Sequence, residues 1–268
     1  MLKAKNNCPI AICSWSLQVE PEKLVPIIEE LGSPQVHLAL NDMLDTPQLA
    51  HKIASKLDIS STMIGFPQED YTDLETIKIT GGVLPDDSWE SNLLRIKAAI
   101  ELTANMNVDF MSFHAGFIDE SQPEIFNKMS ERIRTVADIA AFHNITLLME
   151  TGQETAADLA AFMRHIDHPN LGVNFDPANM LLYGKGDPIE ALKALAPWIK
   201  HIHIKDAVKS ETPGEWGQEV AWGEGQVGAD RFIDTLSEIN YKGTLAIERE
   251  AGDQRMTDIK SAIAQLTA

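Results

Sequence analysis

The sequence predicts a single-domain α/β fold, one (β/α)8 TIM barrel over residues 1–268, on three observations. Eight short runs of β-forming residues alternate with eight longer runs of helical period, the pattern of a closed parallel sheet wrapped by helices. No low-complexity linker divides the 268 residues. The two longest connections, residues 67–87 and 208–228, are rich in Gly, Pro and acidic residues and each follows a strand. Loops of that length in a compact domain are usually functional, and in a barrel they lie on the active-site face.

In chain order the β runs are PIAICSW (9–15), PQVHLAL (34–40), ISSTMIGF (59–66), VDFMSFHA (108–115), ITLLMET (145–151), LGVNFDP (171–177), HIHIKDA (201–207) and GTLAIERE (243–250). Between and after them come helical stretches at 20–31, 46–57, 87–106, 123–142, 155–166, 186–199, 229–239 and 253–266. Thr46-Pro47, Asp187-Pro188 and Asp230 suit N-cap or first-turn positions, and Gly32 suits a helix C-terminus. In the seventh run Ile202 and Ile204 share one face while His201, His203 and Lys205 share the other. That face is either the wet side of an edge strand or the lining of a site.

Charge narrows the partners. Forty acidic against 22 basic residues give a formal charge of -18, which repels phosphate backbones and anionic membranes. A small-molecule partner is expected, with no nucleic acid and no membrane. The first residues carry only a short apolar patch broken by Ser14 and Ser16, and no apolar run of about 18 residues occurs, so a cytoplasmic location is expected. Cys8 and Cys13 form neither a disulfide framework nor a zinc cluster.

Four successive strand ends carry the chemistry: Glu150 in LLMET, Asp176 in VNFDP, His203 in HIHIK and Glu248 in LAIERE. Parity agrees, because Leu148 and Glu150, Asn174 and Asp176, His201 and His203, and Ala246 and Glu248 each fall on one face. Three carboxylates so close repel one another unless a cation lies between them. Three oxygen donors and an imidazole suit Mn2+, Mg2+ or Co2+ and admit Zn2+. A lone acid at a strand end is more often an N-cap or a solvated charge, and Asp176 before Pro177 fits an N-cap. Four on consecutive strands outweigh that reading. His201, one residue pair deeper, reads as a packing or supporting group. His114 is open to two readings, a substrate contact or a hydrogen-bonded barrel histidine. Lys205 binds a substrate oxygen or pairs with Asp206 or Glu248; Asp206 orients a ligand histidine or caps the following loop. His143, His165 and His168 read as surface residues.

These motifs, METG, NFDPANM, HIHIKD and IERE with SFHAG and the WGEGQV turn, resemble the xylose isomerase-like TIM barrels. More narrowly they resemble the sugar phosphate isomerase/epimerase group, with its tagatose 3-epimerase-like, hydroxypyruvate isomerase-like and inosose dehydratase-like enzymes. The resemblance spans essentially the whole chain. It implies one Mn2+-like divalent ion on Glu150, Asp176, His203 and Glu248, with Glu150 and Glu248 also catalytic as acid/base groups. It implies an isomerase or epimerase on a small ketose, sugar or polyol, acting through a metal-stabilised enediolate, or alternatively an inosose- or dehydroshikimate-type dehydratase. Expected substrate contacts are His114, Asn179, Lys205 and Glu250. Ketose 3-epimerases usually carry a histidine where this chain has Asn179, and no Arg/Lys cluster for a phosphate is visible. A repair endonuclease of the related endonuclease IV type would need more histidines and a basic face, against the -18 charge. A homodimer is possible in this group, with Trp216 and Trp222 covering a neighbour's site or their own, or else belonging to a loop that packs on itself. The turn from Trp222 to Gly228, with its longer lead-in from Val208, is expected to close over substrate as a lid.

Overall fold

A computed structural model describes residues 2–33 and 35–268, so Met1 and Pro34, the latter expected in the second strand, lie outside the described residues. The strands, in chain order, are β1 (Ile10–Cys13), β2 (Gln35–Ala39), β3 (Asp58–Met63), β4 (Phe110–Phe113), β5 (Thr146–Glu150), β6 (Leu171–Phe175), β7 (Ile199–Ile204), β8 (Asp206–Val208), β9 (Gln218–Val220) and β10 (Thr244–Ile247). All but β8 and β9 close a barrel in the order β1-β10-β7-β6-β5-β4-β3-β2 with every pairing parallel. All eight expected strands take part. Helices α1 (Pro21–Glu30), α2 (Pro47–Ala54), α3 (Leu74–Thr80), α4 (Asp86–Asn105), α5 (Pro123–Phe142), α6 (Ala156–Ile166), α7 (Pro177–Leu182), α8 (Pro188–Leu195), α9 (Ala229–Glu238) and α10 (Arg255–Thr267) connect them or close the chain. Among the described residues no helix is long and apolar enough to cross a membrane.

Strand period sorts the side chains into two different environments. Ile10, Ile12, Val36, Leu38, Ile202, Ile204, Leu245 and Ile247 pack in the main apolar core. The alternate positions point into the barrel, and there Ala11, Cys13 and Ala246 form a separate small cluster beside Trp15. Around them His37, Ser112, Asn174, His201 and His203 are fully or almost fully buried and joined by hydrogen bonds. The upper interior is thus polar where barrels of this kind usually place Val, Ile and Leu. β7 is accordingly buried on both faces and is no edge strand.

Four short elements, α3, α7, β8 and β9, escape the sequence pattern. α3 lies inside the expected loop 67–87, nucleated by the Asp73 carboxylate, which accepts from Thr76 N at 2.7 Å. α7 starts directly on Asp176, and β8 and β9 form an antiparallel hairpin. Each is 3–7 residues long, too short for a period to register. Among the expected caps, Asp187 accepts from Ile189 N and Glu190 N and Gly32 follows α1 at φ +72°. Thr46 stands at the N-cap of α2 without a capping bond.

Within the stretch expected to act as a lid, the turn from Trp222 to Gly228 is fastened to the end of the barrel. The buried Asp206 carboxylate accepts from the backbone N–H groups of Gly223, Gly225 and Val227 at 3.0–3.1 Å, and from its neighbour Ala207 at 2.9 Å. Trp222 is buried with its ring centroid 5.8 Å from that of Phe232. A Cβ on Gly225 would collide with Asp206 Oδ1 and the Ala207 carbonyl. Asp206→Ala strands several donors, so it is expected to cost at least about 2 kcal/mol and to raise amide exchange across residues 222–228. Urea unfolding together with hydrogen exchange checks this; an unchanged midpoint and unchanged protection would remove Asp206 as the fastener.

Candidate active site

Four strand ends deliver the expected ligands to one point. Glu150 closes β5, Asp176 follows β6 and begins α7, His203 lies in β7, and Glu248 follows β10. One ligand atom from each lies within 4.8 Å of the other three. His203 Nδ1 is 3.0 Å from Glu248 Oε2, 3.4 Å from Glu150 Oε1 and 3.7 Å from Asp176 Oδ2. All four side chains are buried.

Opposite charges hold this cluster ionised. Burial alone would raise the Glu248 carboxyl, but Lys205 and His203 beside it prevail and hold its pKa at about 2. Burial likewise works against ionised Glu150 and Asp176, yet His203 and His114 keep the first low and Lys205 and His203 the second. Burial would depress His203 and Lys205, and the carboxylates instead raise both well above their ordinary values. Lys205 Nζ lies 2.7 Å from Glu250, 3.2 Å from Glu248 and 3.6 Å from Asp176.

The unsatisfied atoms fit a cation. Among the described residues Asp176 Oδ2, His203 Nδ1 and Glu248 Oε2 are buried without a hydrogen bond, a rare state that calls for an explanation. Their partner atoms are already committed. Asp176 Oδ1 accepts from Ala178 N at 2.8 Å and Asn179 N at 3.1 Å, capping α7, so the N-cap and ligand readings take one oxygen each. Glu248 Oε1 accepts from the Trp15 indole at 2.7 Å, while Glu150 accepts from Asn174 at Oε2 and Asn179 at Oε1. Burial pushes the nearby Cys13 thiol up to about 12. With no thiolate available, the donor set is three carboxylates and an imidazole, suited to a hard divalent ion.

The expected substrate contacts surround this cluster in a cleft of about 1030 Å³ lined by His114, Asn179, Lys205 and Glu250. His114 Nε2 is 3.7 Å from Glu150 Oε1. The Asn179 amide nitrogen is committed to Glu150 and the Thr151 carbonyl. Lys205 pairs with Glu248, as one reading held, while Asp206 serves the loop. His201 sits below, joined to Asn174 and Ser60. Trp216, Gly217 and Glu219 line the same cleft, whereas Trp222 does not. Sequence reasoning missed Trp15 and His37. Both were findable: Trp15 shares parity with Ala11 and Cys13, and His37 interrupts an otherwise apolar run.

A closed parallel barrel with a carboxylate–histidine cluster at its C-terminal rim defines a class of barrel enzymes built around one polar mouth. Residues 27–268 match the model of the xylose isomerase-like TIM barrel, and the chain belongs to that family, whose members are sugar-modifying enzymes, among them epimerases, isomerases and dehydratases. A xylose isomerase domain protein from Planctomyces limnophilus is 32% identical, with a TM-score of 0.88 over 96% of this chain and 95% of that one. A 3-dehydroshikimate dehydratase of Bacillus anthracis is 33% identical over 96 residues, 34% of this chain, so the match spans about a third (32%) of that relative's length. The structure of an L-ribulose 3-epimerase shares the fold at 19% identity, with a TM-score of 0.74 over 96% of this chain and 92% of that one.

Two outcomes follow. Asp176→Asn keeps the capping oxygen and the size, so the fold should survive. Its affinity for divalent ions should fall by more than the roughly 10–100-fold typical of losing an outer partner; calorimetric titration with Mn2+ reads this, and parental affinity would contradict the ligand role. The second concerns Glu154, buried in the loop after β5, whose carboxyl burial raises from 4.5 to about 8 against the pull of Lys185. The unfolded form ionises near 4.5 while the folded form keeps its proton to about 8. Its opposition to folding therefore grows across that window and levels off above it. Glu154→Gln should leave stability near parental at pH 4 and raise it by a few kcal/mol at pH 8, measured by urea unfolding at both values.

Proposed function

We propose that the protein is a divalent-metal-dependent isomerase or epimerase acting on an uncharged small ketose or related polyol through an enediolate. The three unsatisfied ligand atoms converging below an acid-lined cleft carry this reading. When bound by Glu150, Asp176, His203 and Glu248, a divalent ion supplies Lewis-acid stabilisation of the oxygen that becomes negative as a proton leaves the adjacent carbon. Glu150 and Glu248 come from β5 and from the end of β10, three places round the barrel with β6 and β7 between them, so they approach a substrate from different sides. One takes the proton from the carbon next to C=O and the other returns it. Lys205 keeps Glu248 ionised and able to accept a proton. Asn174 and Asn179 fix the Glu150 carboxylate, and Trp15 fixes that of Glu248.

The cleft's charge favours a neutral substrate. Asp42, Glu69, Glu219, Glu248 and Glu250 line it against Lys205 and Arg95. Arg95 is engaged with the Gly65 carbonyl and Asn41, and Lys205 is enclosed by carboxylates. A phosphate or carboxylate on the substrate would meet this acid-rich wall without a free cation among the described lining residues.

A second reading is a dehydratase, favoured by the match to the Bacillus anthracis dehydratase and by Asn179 standing where ketose 3-epimerases carry histidine. The same enediolate, formed by loss of the α-proton, expels a β-hydroxyl, which leaves as water after taking a proton. The acid-rich cleft then favours a neutral keto-polyol ring over a carboxylated one.

Mn2+-loaded protein incubated in D2O with neutral ketoses, a keto-inositol and dehydroshikimate separates the readings. Solvent deuterium entering a re-formed sugar supports isomerase or epimerase chemistry, and an enone absorbance supports the dehydratase. Glu150→Gln and Glu248→Gln are expected to retain metal and to lose activity by at least about 10²–10⁴-fold. Parental turnover by either metal-loaded variant would refute the two-carboxylate proton transfer.

A further inference from the structure

One buried side chain outside the ligand set controls how the ligand histidine presents itself. His37, on β2, is fully buried in the barrel interior. Its Nε2 lies 2.9 Å from Ser112 Oγ and 3.3 Å from the Thr62 carbonyl oxygen. Ser112 Oγ in turn donates to that same carbonyl at 3.1 Å. A carbonyl only accepts, and a serine hydroxyl that has spent its proton on it can only accept from the ring, so the His37 hydrogen sits on Nε2. Nδ1 of a neutral His37 is then a bare lone pair, and it lies 3.1 Å from His203 Nε2.

A second neighbour of His203 Nε2 is a donor. Asn174 Nδ2 is 3.0 Å away, but this amide nitrogen also donates to Glu150 Oε2 at 3.2 Å, and Asn174 Oδ1 is taken by His201 Nδ1 at 3.0 Å. A carboxylate only accepts, which fixes the orientation of the amide. Asn174 Nδ2 thus suits a bare Nε2 and His37 Nδ1 a protonated one; a neutral ring that gives Nδ1 to an ion carries its hydrogen on Nε2, and among the described residues His37 Nδ1 is then the better acceptor for it, the thiol sulfur of Cys13, 4.0 Å from His37 Nδ1, accepting only weakly.

We propose that His37 is a positioning residue that holds the hydrogen of His203 on Nε2 and so delivers Nδ1 as the nitrogen that binds the divalent ion. The inference rests on the metal reading above. Ligand histidines usually pass their second N–H to a carboxylate or a carbonyl, which raises the basicity of the ligand. Here the acceptor is a neutral imidazole, stacked edge-on against Trp15 with centroids 4.9 Å apart. It fixes ring orientation without adding negative charge, leaving the ion a stronger Lewis acid than a carboxylate partner would.

The test pairs one direct observation with two variants. In 15N-labelled parent protein loaded with Mg2+, long-range 1H–15N spectra should show His203 protonated at Nε2 and His37 protonated at Nε2 but not at Nδ1, with a 15N–15N coupling across the hydrogen bond joining them. His37→Leu removes the acceptor and should weaken Mg2+ and Mn2+ binding about 10–100-fold. His37→Asn places an amide oxygen near the former Nδ1 and should recover most of that loss. A His203 bearing its hydrogen on Nδ1 in the loaded parent overturns the proposal, as does a folded His37→Leu that binds both ions with parental affinity. If His37→Leu does not fold, the parent spectrum and His37→Asn still decide. A parent that takes up neither ion overturns the metal reading itself and this role with it, a result distinct from tight binding that ignores His37.

Discussion

The compensation of three buried carboxylates by one imidazole and one ammonium governs this structure. Glu150, Asp176 and Glu248 are all but removed from water, where an isolated charge would shed its ionisation. His203 and Lys205, 3.0–3.7 Å away, keep them charged. The balance is incomplete, since three negative charges face two positive ones while Glu250 and Glu219 crowd Lys205 from outside. A site in that condition favours a further positive charge and disfavours an anionic one, which supports both the metal and the neutral-substrate readings proposed above.

The barrel accommodates such a site by separating two jobs along each strand. Outward residues such as Ile202, Ile204, Leu245 and Ile247 bind the helices to the sheet. Inward residues give up apolar packing for a network that runs from His201 through Asn174 to Glu150 and from His203 to His37. Partly satisfied networks of this kind destabilise a core, while fully joined ones fix a unique geometry. Among the described residues, three of the eight buried side-chain polar atoms without a hydrogen bond, Asp176 Oδ2, His203 Nδ1 and Glu248 Oε2, belong to this one cluster.

Much of this was legible because strand period and metal chemistry leave the same trace. Glu150, Asp176, His203 and Glu248 stand out by type and by parity, and the eight strands by their regular return. The short elements α3, α7 and β9 did not, since a turn or two of helix has no period to read and its existence depends on a cap such as Asp73 or on a neighbouring strand. The fastening of Trp222–Gly228 was hidden for a related reason. Glycines signal backbone freedom in sequence, but here they make room for the Asp206 carboxylate, whose grip on three distant N–H groups is a tertiary fact. Trp15, in the turn after β1, and His37, on β2, belong to strand segments whose ends carry no acid, so nothing drew attention to their parity.

The divided carboxylate of Asp176 has an outcome for how this site can change over generations. One oxygen starts α7 and the other faces the cluster, and the short aspartate stem allows both. A glutamate there would carry its carboxylate one methylene further out, and could keep the helix start or the ligand position but not both. Glu150 and Glu248 have no such double attachment to backbone and leave more room for drift in length and angle. Position 176 is therefore the carboxylate of the three whose side-chain length the local backbone constrains most tightly.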